Sequence, residues 1–280
     1  MLKMSVLTLT LIIFIGSFFA GLLGSLTGLG GGFIIVPLLT LALNVDIHYA
    51  IGASLISVIA TSSGSAAAFI KEGITNIRLG IFLEVATTMG AVTGAMLAVY
   101  VPTNIIAVLF GFILMSSAVF SLKKVQKANG ERSAFAEKMR LNGSFPSAQG
   151  VVEYGVTRVG GGFSLMMFAG VVSGLLGVGS GALKVLAMDT VMRIPFKVST
   201  TTSNFMIGVT AAASAVVYIQ RGYIDPGLCM PLVIGVLAGA ITGSRILVKT
   251  QSSKWLRVIF VAVVSVLAIQ MIYNGLTGEI

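Results

Sequence analysis

The sequence predicts an all-α integral membrane protein built from two repeats, and three observations carry that expectation. Hydrophobic residues make up 56% of the 280 and charged residues 10%, with a mean hydropathy of +1.02, more apolar surface than a water-soluble fold can hide. Apolar stretches of about 20 residues, the length that crosses roughly 30 Å of hydrocarbon, recur along the chain. Two glycine runs, Gly28-Leu29-Gly30-Gly31-Gly32 and Gly177-Val178-Gly179-Ser180-Gly181, each close one apolar stretch and open another.

In chain order, long helices are expected near residues 5–25, 48–70, 76–100 and 104–122, then near 159–176, 198–219, 227–248 and 256–273. The pieces at 30–44 and 180–192 follow the glycine runs and are short for a crossing, so they read as half-helices or re-entrant arms. Glycines this dense weaken a continuous helix but suit a chain that unwinds beside a ligand. A membrane β-barrel is excluded, because its strands alternate polar and apolar residues. The expected organisation is a first transmembrane repeat over 1–122, a basic cytoplasmic linker over 123–158 and a second repeat over 159–280. Lys3 and the apolar run to Ala20 resemble a signal peptide, but the run continues apolar and glycine-rich, so it is read as retained.

The net charge of +9 is concentrated in the linker, at Lys123, Lys124, Lys127, Arg132, Lys138, Arg140 and Arg158. In a membrane protein such a cluster marks the cytoplasm. It lacks the aromatic interleaving of a nucleic-acid surface, so no nucleic-acid partner is expected, only lipid and a small substrate. Cys229 is the single cysteine and reads as a packing residue. No Cys/His cluster suggests a metal, no Walker-type loop suggests ATP hydrolysis, and no cofactor is expected.

Sliding Gly32 onto Gly181 sets an offset of 149 residues (181 − 32) that holds without a gap across most of a hundred positions. It brings Ala20-Gly21 onto Ala169-Gly170, Ser54 onto Ser203, Thr61 onto Thr210, Gly73 onto Gly222, and Gly90 and Gly94 onto Gly239 and Gly243. One ungapped offset with this many matches is the signature of duplication. With the linker inside, Lys71, Arg78, Arg193, Lys197, Lys249, Lys254 and Arg257 fall inside and Asp46, His48 and Asp225 outside, with Arg221 the one cation on the wrong side. Each half then crosses an odd number of times, or three times plus a re-entrant hairpin. The second is inverted relative to the first, and both termini lie outside.

The glycine-rich break, the following Ala50-Ile51-Gly52-Ala53-Ser54 and Ser199-Thr200-Thr201-Thr202-Ser203-Asn204, and the Gly90/Gly94 and Gly239/Gly243 pairs resemble the TauE/SafE sulfite exporter family. The resemblance covers nearly the whole chain outside the linker. It implies a multi-pass permease of the prokaryotic inner membrane for sulfite or organosulfonate anions, usually exporting them.

Residue chemistry points the same way. The backbone N–H groups of Gly30, Gly31, Gly32, Gly179, Ser180 and Gly181 begin the short helices, where the dipole favours an anion. Ser54, Ser57, Thr61, Thr201, Ser203 and Asn204 supply donors, which a fully ionised oxyanion requires. The competing account is that small hydroxylated residues let membrane helices pack closely, and it is preferred for Gly90, Gly94, Gly235, Gly239 and Gly243.

Charged residues inside spans are costly and therefore informative. Lys184, three residues past Gly181, either places a permanent positive charge beside the anion or snorkels towards Arg193 and Lys197. Asp189 is its candidate partner, at a poor helical spacing. Glu84 either couples protons or, as preferred, pairs with Lys71 or Arg78 near the cytoplasmic edge. The expected function is secondary-active anion transport by alternating access to a glycine-lined midplane site. The alternative is a non-transporting sensor or assembly subunit, against which the linker of about 35 residues is too short for a signalling domain. An enzyme is disfavoured because no Ser/His dyad or paired intramembrane carboxylates appear.

Overall fold

The computed structural model describes residues 6–27, 30–122, 133–147, 150–249 and 254–278. Gly28 in the first glycine run, both chain ends and the linker cations Lys123, Lys124, Lys127 and Arg132 lie outside the described residues. Eight long helices occupy the expected stretches. In the first half these are α1 (Val6–Thr27), α3 (Ile47–Lys71), α4 (Ile77–Ala98) and α5 (Thr103–Leu122). In the second they are α7 (Val159–Leu176), α9 (Phe196–Gln220), α10 (Pro226–Lys249) and α11 (Lys254–Thr277). Among the described residues six of them, α1, α3, α4, α7, α9 and α10, are long and apolar enough to cross a membrane; the shorter apolar stretches of α5 and α11 span Thr103–Val119 and Val261–Thr277.

The short arms are α2 (Gly32–Pro37) and α8 (Gly181–Leu186), each running on into a π-helical turn, Leu38–Ala42 and Ala187–Val191. Pro37 sits at the first of these junctions, yet its counterpart is Leu186, so proline is not what widens the helix. Left-handed backbone recurs with the same offset: Gly30 with Gly179, Asn44 with Arg193, and Gly73 with Gly222.

Packing follows the repeat. Helix α1 lies on α10 and α7 on α4, while α3 faces α9 and α5 faces α11. Exchanging the halves turns the first contact into the second and leaves the other two in place. Hydrophobicity cannot drive helices together in lipid, so close backbone approach at small residues does. A Cβ added at Gly90 would overlap Met167 O and one at Gly94 would overlap Val171 O; Gly239 and Gly243 stand in the same relation to Phe18 O and Leu22 O.

Residues 133–158, read from sequence only as linker, carry a short helix α6 (Ala134–Lys138) and an antiparallel hairpin of β1 (Gly143–Ser147) and β2 (Gly150–Tyr154). The hairpin is fastened at Asn76. That residue caps α4 by accepting from Leu79 N (3.0 Å), and its amide donates to Leu141 O and to the Tyr154 hydroxyl, both at 2.9 Å. Its backbone N–H donates to Thr202 Oγ1 of α9 at 3.1 Å. Burial pushes the Tyr154 phenol up to about 12, against a smaller opposing effect from the Asn76 hydrogen bond. Ala136, Leu141, Tyr154 and Val156 join the apolar cluster of Leu79, Leu83, Met166 and Met192.

Gly94→Val is expected to destabilise the protein by about 1–3 kcal/mol through overpacking against α7. Gly160→Ala, where an added Cβ meets nothing within 4 Å, should be neutral or mildly stabilising. A thermal melt in detergent read by a thiol-reactive dye on Cys229, which is buried, checks both.

Candidate substrate site at the glycine breaks

The two breaks touch one another. Gly30 has φ +81° and Gly179 φ +71°, the left-handed region in which glycine carries no Cβ penalty. A Cβ at Gly32 would sit 3.0 Å from Gly177 O, and Val58 of α3 and Ile207 of α9, themselves one offset apart, lie against both Gly30 and Gly179.

Hydroxyl and amide groups surround the breaks, and nearly all are engaged within the protein. Ser54 Oγ donates to Gly177 O at 2.8 Å and Ser203 Oγ to Gly181 O at 3.3 Å, so the repeat-matched serines tie α3 and α9 to the second break. Ser57 and Thr201 donate back to their own helices, at Ala53 O (3.0 Å) and at Lys197 O and Val198 O (both 3.1 Å). The Asn204 amide donates to Thr200 O and Ser25 O while its side-chain oxygen accepts from Ser65 Oγ at 3.4 Å. Ser62 Oγ donates to Asn204 O at 2.5 Å. The Ser180 hydroxyl, like those of Ser173 and Thr200, is buried without a hydrogen-bond partner, and Ser180 is held at φ +48°.

Lys184 corrects one expectation. It does not snorkel; it is fully buried, and its partner is not Asp189 but Glu84 of α4, with Nζ 3.6 Å from Oε2. Thr210 of α9 lies between the two charges. Its hydroxyl accepts from Lys184 Nζ and donates to Glu84 Oε1 at 2.5 Å. Thr88 Oγ1 also donates to Oε1, at 3.3 Å. Glu84 therefore does not pair with Lys71 or Arg78; the Arg78 guanidinium donates to Arg140 O at 3.4 Å instead. Asp189 Oδ1 is buried without a hydrogen bond on the π-helical turn.

Sequence reasoning noted Thr210 only as the repeat partner of Thr61 and missed Ser62 and Ser25. A signal for the pair was present. The offset sets Lys184 against Ile35 and Glu84 against Val233, so two charges that break the symmetry come from different halves and meet each other.

Long apolar helices, glycine-mediated packing and a buried charge pair beside two broken helices together define a multi-pass membrane transporter. The description of the sulfite exporter TauE/SafE family matches residues 13–271, and the chain belongs to that family. It is 30% identical over 264 residues to a probable membrane transporter protein, YunE, of Bacillus subtilis, covering 92% of this chain and 95% of the relative. A second, YdhB of the same organism, is 26% identical over 84% of this chain and 89% of its own length. An archaeal probable transporter, MJ0441 of Methanocaldococcus jannaschii, is 24% identical over 95% of this chain and 96% of its own. No solved structure matches the chain significantly.

Removing one member of a buried ion pair leaves the other uncompensated, at a cost of about 3–5 kcal/mol. Lys184→Met should lower the melting temperature accordingly, and adding Glu84→Gln should restore most of it. The Cys229 dye melt of both variants reads this coupling; additive effects would show that the pair does not interact.

Proposed function

We propose that the chain is a secondary-active permease for small sulfur-containing anions, sulfite or an organosulfonate, which it exports across the prokaryotic inner membrane. The observation that carries this reading is Lys184: a fully buried ammonium on the short helix directly after the second glycine break. A cation is kept at such depth at considerable cost, and intramembrane charges usually mark a substrate or ion pathway. The family's description as sulfite exporters supports that substrate class.

The proposed site comprises the backbone of Gly30, Gly31, Gly32, Gly179, Ser180 and Gly181, the Lys184 ammonium, and donors from Ser54, Ser57, Thr201, Ser203 and Asn204. In the arrangement described above those side-chain donors face protein carbonyls. Parting the breaks releases Ser54 from Gly177 and Ser203 from Gly181, so that the same hydroxyls turn to the anion, joined by the already unpartnered Ser180. The halves are taken as inverted, with both termini outside and residues 123–158 cytoplasmic, so that rocking one half against the other opens the site to either face in turn.

Liposome flux of sulfite, sulfate, thiosulfate, taurine and sulfoacetate, each with and without a pH gradient, tests the substrate class. Gly31→Val and Ser180→Val should abolish flux of the carried anion while leaving membrane insertion intact. A built Cβ at Gly31 already lies 3.3 Å from both Ala20 O and Thr61 Oγ1, and a β-branched residue is strained at the left-handed Ser180 position. Undiminished flux in both variants would dismiss this site.

A further inference from the structure

Lys184 and Glu84 neutralise one another, which leaves no place for a third charge. With both ionised the pair is neutral overall, in a location where the lysine side chain is fully buried and that of Glu84 is 9% exposed. An anion arriving at Lys184 would add an uncompensated negative charge beside the carboxylate, and in a medium of low dielectric two anions sharing one cation are strongly disfavoured. The balance is restored if the carboxylate takes a proton. Lysine cation, bound monoanion and neutral carboxylic acid again sum to zero.

We propose that Glu84 is the proton carrier of this transporter: an anion binding at Lys184 displaces the carboxylate, which accepts one proton as it lets go. The proposal rests on the anion-permease reading, not on the direction of transport, and deepens it by assigning the coupling ion and its carrier.

The geometry assigns the two carboxylate oxygens different parts. Oε1 accepts from Thr210 and Thr88, whereas Oε2 faces Lys184 at 3.6 Å and accepts no hydrogen bond. Oε2 is the oxygen that gains a proton once the ammonium turns to another anion. Thr210 accommodates both states. Its hydroxyl donates to Glu84 Oε1 while the carboxylate is ionised, and the alternative acceptor is Met206 O at 3.1 Å, so the hydroxyl keeps accepting from Lys184 either way.

Among the described residues Glu84 is the carboxylate paired with Lys184. Of the helices packed on α4, α7 contains no titratable side chain, and α9 carries Lys197 and Tyr218 near its ends. At 1.5 Å per residue these lie about 20 and 12 Å from Thr210 along the helix. The second arm carries Asp189, five residues beyond Lys184. On α4 itself Arg78 is engaged with Arg140 O, and Glu137 and Lys138 on α6 are exposed. At the symmetry-related position Ile35 of the first half and Val233 of the second stand where Lys184 and Glu84 stand in the pair, so each chain carries one coupling centre.

Methanesulfonate is a monoanion and holds no proton of its own near neutral pH, so any proton taken up on its binding belongs to the protein. The purified chain in weakly buffered detergent, titrated with methanesulfonate beside a pH indicator, is expected to take up about one proton per anion bound. Its Kd should rise about tenfold per pH unit wherever Glu84 is ionised in the free protein. Glu84→Gln, which mimics the protonated acid, should abolish the uptake, flatten the pH dependence and bind more tightly than wild type in alkali; the Cys229 dye melt verifies that it is folded. Binding by the wild type without proton uptake, or a pH slope that survives in Glu84→Gln, overturns the proton-carrier assignment and leaves the permease reading intact. Failure of thiosulfate, methanesulfonate and sulfite alike to bind at any pH overturns the permease reading and this assignment with it.

Discussion

An ammonium group held away from all water constrains everything around it. Glu84 and Thr210 are brought to Lys184 from two other helices, α4 and α9, and each of those must then be held in register. The α4 position is fixed by its glycine contacts with α7 and by the Asn76 cap, which also reaches α9 through Thr202. Three elements from both halves are thereby locked to the short arm, and the arm cannot move without disturbing the pair. Buried polar networks of this kind are secure when complete and costly when any member is lost.

The rest of the bundle obeys the same solvent rule with neutral groups. Serine and threonine hydroxyls along α3 and α9 donate to backbone carbonyls one turn earlier or across to the neighbouring break. Small residues let α1 meet α10, and α4 meet α7, at backbone distance. Large apolar side chains then face outward: Ile81, Val85 and Met89 on α4 are more than half exposed, as befits a surface that lipid covers.

Much of this was legible in the chain. Eight runs of apolar residues and two glycine breaks locate the helices and arms, because membrane length and backbone freedom leave few alternatives. The ungapped offset reappears in the arms, in their π-helical turns and in paired left-handed residues. The partner of Lys184 was not legible by helical spacing, since Glu84 lies a hundred residues earlier and spacing rules describe only neighbours on one helix. The hairpin at 143–154 was hidden for another reason. Pro146 within β1 argues against a strand, and only a two-stranded ribbon with an open edge accommodates it. The orientation of Ser54 and Ser203 depends on carbonyls of a different segment, which no local pattern encodes.

The glycine seam between α1 and α10 also sets a timetable for assembly. Gly21 meets Val236, a residue synthesised more than two hundred positions later. At about 5–20 residues per second of translation, α1 waits roughly ten to forty seconds in the bilayer with its small-residue face unpartnered. The second helix of each seam, α10 or α7, completes a surface laid down by the opposite half, so neither half is a finished unit when the ribosome leaves it. Nascent α1 must rely on lipid or on membrane-insertion machinery to shield that groove until the chain is nearly complete.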